Sequence, residues 1–188
     1  KLRYQATLLE KVSDAVITTD MDFIIQSWND AAQATYGFDA AEALGQRLGV
    51  LIPTVYRDAI TQDAAAERLL AHGSWQGEVR QKHKDGSDLY VLASVNLIRD
   101  HHGQPAAIVS INRDITERVR AEEKLQQSEE KLRAIYTAIP VPTYTWQADG
   151  DDFVLTDSNE AGRRVSQGRI MELIGIKVDA PCRRLDTG

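Results

Sequence analysis

Few side chains in this chain are of the kinds that do chemistry, and their spacing suits contact with a ligand better than bond making. The histidines are His72, His83, His101 and His102. A metal ion needs three or four converging ligands, and the His101-His102 pair has no others at suitable spacing. His72 stands beside Gly73 at the expected end of a helix, which suits an exposed imidazole. Cys182 is the single cysteine. It cannot close an internal disulfide and reads as an incidental surface thiol. Asp14, Asp20 and Asp22 fall at strand ends and turns, where carboxylates satisfy backbone N–H groups. No nucleophile–base arrangement, glycine-rich phosphate loop or metal cluster stands in the sequence, so no catalysis is expected of this fragment. Gln81 is the polar residue that stands out, because it alternates with Trp75, Gly77 and Val79 on one strand face. A buried amide needs partners. Backbone or a trapped water is the commoner partner, and a bound small molecule is the other. Trp28, Trp75 and Trp146 read as core anchors.

Composition narrows the class. The chain has 188 residues, room for one to two domains of about 100–150 residues. Hydrophobic residues make up 43% and charged residues 27%, ordinary for a globular protein. A net charge of -6 argues against nucleic acid as the partner, since phosphates call for a basic surface. No apolar run reaches the roughly 20 residues of a membrane helix, and no signal peptide is visible at Lys1. The chain starts without Met and reads as a fragment of a longer protein. A lone cysteine fits a reducing cytoplasm.

The elements that must position these residues follow from periodicity. Residues 2–12 carry an apolar helical stripe of Leu2, Leu8, Leu9 and Val12. Strands are expected at 15–20 and 23–28 around a Met21-Asp22 turn. Asn29 caps a short helix that Gly37 stops, and Asp39 restarts one that Gly45 ends. A longer helix is expected from Asp58 to Ala71, with Ile60, Ala64, Leu69 and Leu70 near one side. Three strands follow at 75–84, 89–98 and 106–112, joined at Asp85-Gly86 and His102-Gly103. In the middle strand Tyr90, Leu92 and Ile98 give the outer face a half-apolar character, so a partner or the N-terminal helix should cover it. Strands, short helices, then more strands is an α+β order.

Residues 114–136 lack Gly and Pro and read as one charged helix, with Asp114 and Glu117 spaced for a capping box. Leu125, Leu132 and Ile139 recur every seven residues. A dimeric coiled coil is the preferred reading and a solvated connector the other. After Pro140 the pattern begins again. Phe153, Asn159-Glu160-Ala161 and Ile174-Gly175 match Phe23, Asn29-Asp30-Ala31 and Leu44-Gly45 at one offset. The expected division is a capping helix 1–12, a first domain 13–116, a connector 117–136 and a partial second domain 137–188.

Six local sequences together resemble the PAS sensor family: Ser27-Trp28-Asn29, Tyr36-Gly37-Phe38, Leu44-Gly45, Trp75-Gln76-Gly77-Glu78, Lys84-Asp85-Gly86 and Asp114-Ile115-Thr116. The resemblance covers 2–118 fully and 130–188 in part. It implies a five-stranded antiparallel sheet with helices on one face around a small cavity. Candidate cavity residues are then Ile17, Trp28, Leu48, Gln81, Val91 and Val95. It also implies a signal-transfer joint at Asp114, Ile115 and Thr116, and a homodimer through Tyr90, Leu92, Ile98, Leu125, Leu132 and Ile139. The expected role is a cytoplasmic input module that controls an output domain of the same chain, of histidine kinase or cyclic-dinucleotide type. The alternative is an empty structural module that mediates only dimerisation and spacing. The resemblance leaves the cofactor open. Light-sensing flavin members carry Gly-Arg-Asn-Cys where this chain has Gly45-Gln46-Arg47-Leu48, so a thiol adduct is not expected. Their two flavin-reading Asn positions are Gln81 and Val91 here, and only Gln81 keeps an amide. Haem is disfavoured because residues 58–71 contain no His.

Overall fold

A computed structural model describes residues 14–56, 61–150 and 152–179. The expected N-terminal helix and Cys182 lie outside the described residues. The chain divides into two compact units, 1–121 and 122–188.

The first unit opens with β1 (Ala15–Thr19) and β2 (Ile25–Trp28), then three short helices: α1 (Asp30–Tyr36), α2 (Ala40–Ala43) and α3 (Leu48–Leu51). A two-residue strand β3 (Val55–Tyr56) precedes helix α4 (Gln62–His72). Three long strands follow: β4 (Ser74–Lys82), β5 (Asp88–Arg99) and β6 (Pro105–Asp114). The strand order is β2-β1-β6-β5-β4-β3, all antiparallel. Five longer strands therefore make the expected sheet, and β3 adds a short sixth at the β4 edge. The period-two pattern decides which face is buried. Trp75, Val79 and Gln81 of β4 and Leu89, Val91 and Ala93 of β5 point inward, while Arg80 and Lys82 are exposed. One core joins these strands to Ala32, Tyr36, Ala43, Ile52, Ala65 and Leu69.

Local chemistry fixes the helix ends. The Asn29 side chain accepts from Ala32 N–H at 2.8 Å and from Val16 N–H at 2.9 Å, so one amide caps α1 and ties it to β1. Gly37 ends α1 at φ 77°, a left-handed backbone. A Cβ there would lie 2.5 Å from His83 Nε2. Gly37→Ala should therefore cost about 1–2 kcal/mol through backbone handedness, and more through displacement of His83. A lowered urea midpoint with an unchanged slope checks this, and an unchanged midpoint contradicts it.

Helix α4 differs from expectation. Its described part starts at Gln62, with Thr61 Oγ1 accepting from Ala64 N–H. Residues 57–60 lie outside the described residues. Ala65 and Leu69 are its buried positions, and Leu70 is exposed. Helix α3 and strand β3 were not expected, because segments of four and two residues carry no readable period.

Helix α5 (Thr116–Ala138) leaves the sheet and contributes its later residues to the second unit. That unit holds β7 (Tyr144–Asp149), β8 (Asp152–Ser158), α6 (Glu160–Val165), a 3-10 turn (Arg169–Leu173) and β9 (Lys177–Asp179). Its bonds repeat those of the first unit. Asn159 Oδ1 accepts from Gly162 N–H and Thr143 N–H, as Asn29 Oδ1 does from Ala32 and Val16. Gly175 N–H donates to Leu155 O as Gly45 N–H does to Ile25 O, both at 2.9 Å. Val154 pairs with Lys177 as Ile24 pairs with Arg47.

Candidate ligand cavity and exit joint

Small side chains on facing elements leave a cavity of about 320 Å³ in the first unit. Ala65 and Ala66 of α4 line it on the helix side, and Ala93 and Ser110 of β5 and β6 line it on the sheet side. Leu69, Trp75, Val79 and Ile108 add apolar wall. Arg47 and Asp63 are its charged lining residues, and both are exposed.

Of the expected cavity residues, Leu48, Gln81 and Val95 line it. Ile17, Trp28 and Val91 are not part of its lining. Ile17 and Val91 are fully enclosed by packing. The Trp28 indole N–H donates to Phe38 O at 3.0 Å and its ring packs 5.6 Å from Tyr36, which commits that side chain to holding the end of α1.

A chain of hydrogen bonds runs beneath the cavity. Thr54 Oγ1 donates to Ile52 O at 3.2 Å and accepts from Gln81 Nε2 at 3.0 Å. Gln81 Oε1 accepts from the Tyr36 hydroxyl at 2.7 Å, and that hydroxyl accepts from Asn112 Nδ2 at 2.8 Å. Gln81 is thus satisfied at both ends by protein. Burial is the main cause that pushes the Tyr36 phenol well above its ordinary 10, partly opposed by the Asn112 bond. The phenol stays protonated in the fold, so its stabilising contribution is complete below pH 10 and falls as pH climbs towards its raised folded value. Tyr36→Phe should cost about 1–3 kcal/mol by orphaning two buried amides. It should also flatten the loss of stability above pH 10, which thermal melts across pH will show; an unchanged alkaline slope contradicts the assignment.

Two residues of the cavity wall each carry an enclosed polar atom without a protein partner, Trp75 Nε1 and Asn112 Oδ1. From the sequence Trp75 is expected as a core anchor and Asn112 only as the end of the last strand; both line the cavity. The inward alternation Ile108, Ser110, Asn112 in β6 was the available signal.

The exit joint sits two residues beyond Asn112. Ile115 N–H donates to Tyr90 O at 2.9 Å, and Tyr90 N–H donates to Thr116 Oγ1 at 3.0 Å. Both backbone polar groups of Tyr90 are therefore held by the joint. Asp114 Oδ1 accepts from Thr116 N–H at 2.8 Å. That is a two-residue turn ahead of the helix, not the expected capping-box bond to Glu117, because the helix begins only at Thr116. Arg118 bonds Glu78 of β4 at 2.6 Å. Ile115, Thr116 and Val119 are buried.

Tyr90 and Leu92 are half-buried on the outer face, and Ile98 is exposed. Leu125 and Leu132 on α5 are exposed, and Ile139 is half-buried. His72 is the exposed last residue of α4. His101 and His102 are exposed with ring centres 3.8 Å apart. Among the described residues no group of three metal-ligating side chains forms, and no helix is long and apolar enough to cross a membrane.

The family model described as PAS domain matches residues 13–117. Sensor histidine kinase TmoS of Ectopseudomonas mendocina is 30% identical over 65% of this chain, a stretch that spans 13% of TmoS. Biofilm dispersion protein BdlA of Pseudomonas aeruginosa is 30% identical over 57% of this chain and 26% of its own length. A crystal structure of the PAS domain of a Colwellia psychrerythraea protein superposes with a TM-score of 0.54 at 28% identity, covering 62% of this chain and 98% of that one.

Proposed function

The chain belongs to the PAS domain family, and on that premise we propose that it is the sensory input module of a larger, cytoplasmic signalling protein. The relatives TmoS and BdlA support a signalling role. A small molecule in the cavity shifts β5 and β6, and the Asp114–Thr116 joint passes that shift to α5 and an output domain of the same chain. The observation that carries this reading is the clamp on Tyr90. Its N–H and C=O both bond to the joint, while Ala93 on the same strand and Asn112 at the end of β6 line the cavity. Sheet and helix must then move together.

In this reading the fragment makes no bonds itself. Residues 137–188 are the first part of a second PAS unit, supported by the repeated pairings around Asn159 and Gly175. The outer face at Tyr90, Leu92 and Ile98 and the stripe of Leu125, Leu132 and Ile139 join two copies into a dimer. Leu48 stands where a photoreactive thiol would be needed, so a thiol photocycle is not part of the mechanism. Gln81 keeps flavin compatible with the cavity, and exposed His72 is a poor haem ligand. A second reading is a structural module with an empty cavity. It is favoured by Gln81, which is satisfied without a ligand.

Asp114→Ala in the full-length parent tests the proposal. It should cost about 0.5–2 kcal/mol in the isolated domain and uncouple output from the native stimulus. A variant that folds and still responds normally makes the joint an ordinary helix cap and overturns transmission through it.

A further inference from the structure

Helix α5 carries large aliphatic side chains in the open: Leu125 is 62% exposed, Leu132 64% and Ile135 52%. With Ala121, Ser128 and Ile139 they recur at alternating spacings of four and three, the inner positions of a two-stranded coiled coil. A helical bond from Ile139 N–H to Ile135 O, 3.1 Å long, carries the spacing past Ala138. The turn before this row is held by the sheet, since Val119 is buried and Arg118 bonds Glu78. The free seam therefore starts at Ala121.

The seam divides the charges. Lys124 and Lys131 stand just before Leu125 and Leu132 on one flank, and Glu122 and Glu129 stand just after Ala121 and Ser128 on the other. Neither lysine has an acidic residue three or four places away, so its own helix offers no ion pair. Lys124, Lys131 and Glu129 are exposed and make no ion pair with the described residues of their own chain. In a parallel pair of helices the basic flank of each meets the acidic flank of the other, and Lys124 stands opposite the partner's Glu129, twice by symmetry. In an antiparallel pair lysine meets lysine and glutamate meets glutamate. A slip of one heptad would set Ser128 against Ile135 and leave much of a short seam unpaired.

We infer that residues 121–139 pair with a second copy of this chain, parallel and in register, and that Lys124 and Glu129 select that orientation. The inference rests on the dimer reading and adds its direction and register.

The test uses the full chain with Cys182→Ser, so that each added cysteine is alone. Ser128→Cys and Ile135→Cys lie on the seam, seven residues and so about 10 Å apart. Glu123→Cys, on the opposite face, reports random collision. Under mild oxidation both seam cysteines should close a disulfide to their own copies at least about tenfold faster than Glu123→Cys. An antiparallel pair could join at most one, since centring it on one parts the other from its copy by about 21 Å. Lys124→Glu and Glu129→Lys should each slow the Ser128→Cys cross-link about tenfold, because two attractions become repulsions. Mixed, with one chain tagged, the two variants should form heterodimers at the unmodified rate, since each flank then meets an opposite charge. The inference is overturned if a charge reversal leaves the cross-link unchanged or speeds it, if the mixture does not recover, or if one seam cysteine joins without the other. Seam cysteines no faster than Glu123→Cys overturn it too, and that outcome alone also removes the dimer reading of α5.

Discussion

Ala93→Leu is expected to fill the cavity and mimic an occupied site. Ala93 lies on the central strand β5, is buried, lines the cavity and pairs in register with Asn112 of β6. Overpacking a dense core costs about 1–3 kcal/mol. Here a cavity of about 320 Å³ accepts the added carbons, so the expected loss is under about 1 kcal/mol. In the parent protein the output should settle at one level and ignore the native stimulus. A denaturation curve and the output assay check the two parts. Normal signalling in a folded variant would show that the cavity is not the input site.

Thr116→Val should break the connection while keeping the shape. Thr116 is 6% exposed, and its hydroxyl is the acceptor for Tyr90 N–H. Valine fills the same volume but leaves that N–H unpaired, at a cost of about 1–3 kcal/mol. The sheet should stay folded, since the β5–β6 ladder is otherwise untouched. In the parent, Thr116→Val combined with Ala93→Leu should return the output to the level of Thr116→Val alone. A double variant that still shows the Ala93→Leu output would mean that the signal leaves the sheet by another route.

What was legible in the sequence was local. The alternation of Trp75, Val79 and Gln81 placed β4 correctly because one face is buried and the other wet. Asn29, Gly37 and Gly73 marked helix ends because their caps use neighbours a few residues away. The six motifs together gave the family. The polar floor was not legible, because Tyr36 meets Gln81 and Asn112 across 45 and 76 residues. Local spacing also misled at the joint. Asp114 and Glu117 fit a capping box, but the pull of Tyr90 on Ile115 and Thr116 sets where the helix begins. The cavity residues implied by the family resemblance included Ile17 and Val91, which packing encloses completely. Trp75 and Asn112, which do line the space, were visible as wall residues only once the strands were paired.

Amide hydrogen exchange, read residue by residue in the wild-type chain and in Ala93→Leu, tests the central claim most directly. The account predicts that filling the cavity changes protection of the Tyr90 and Ile115 amides together, in the same direction and by about tenfold, equivalent to about 1.4 kcal/mol. Both amides belong to the clamp between β5 and the exit joint. If protection changes at Val79 and Gln81 while Tyr90 and Ile115 exchange as before, the cavity and the helix are not coupled and the account is wrong.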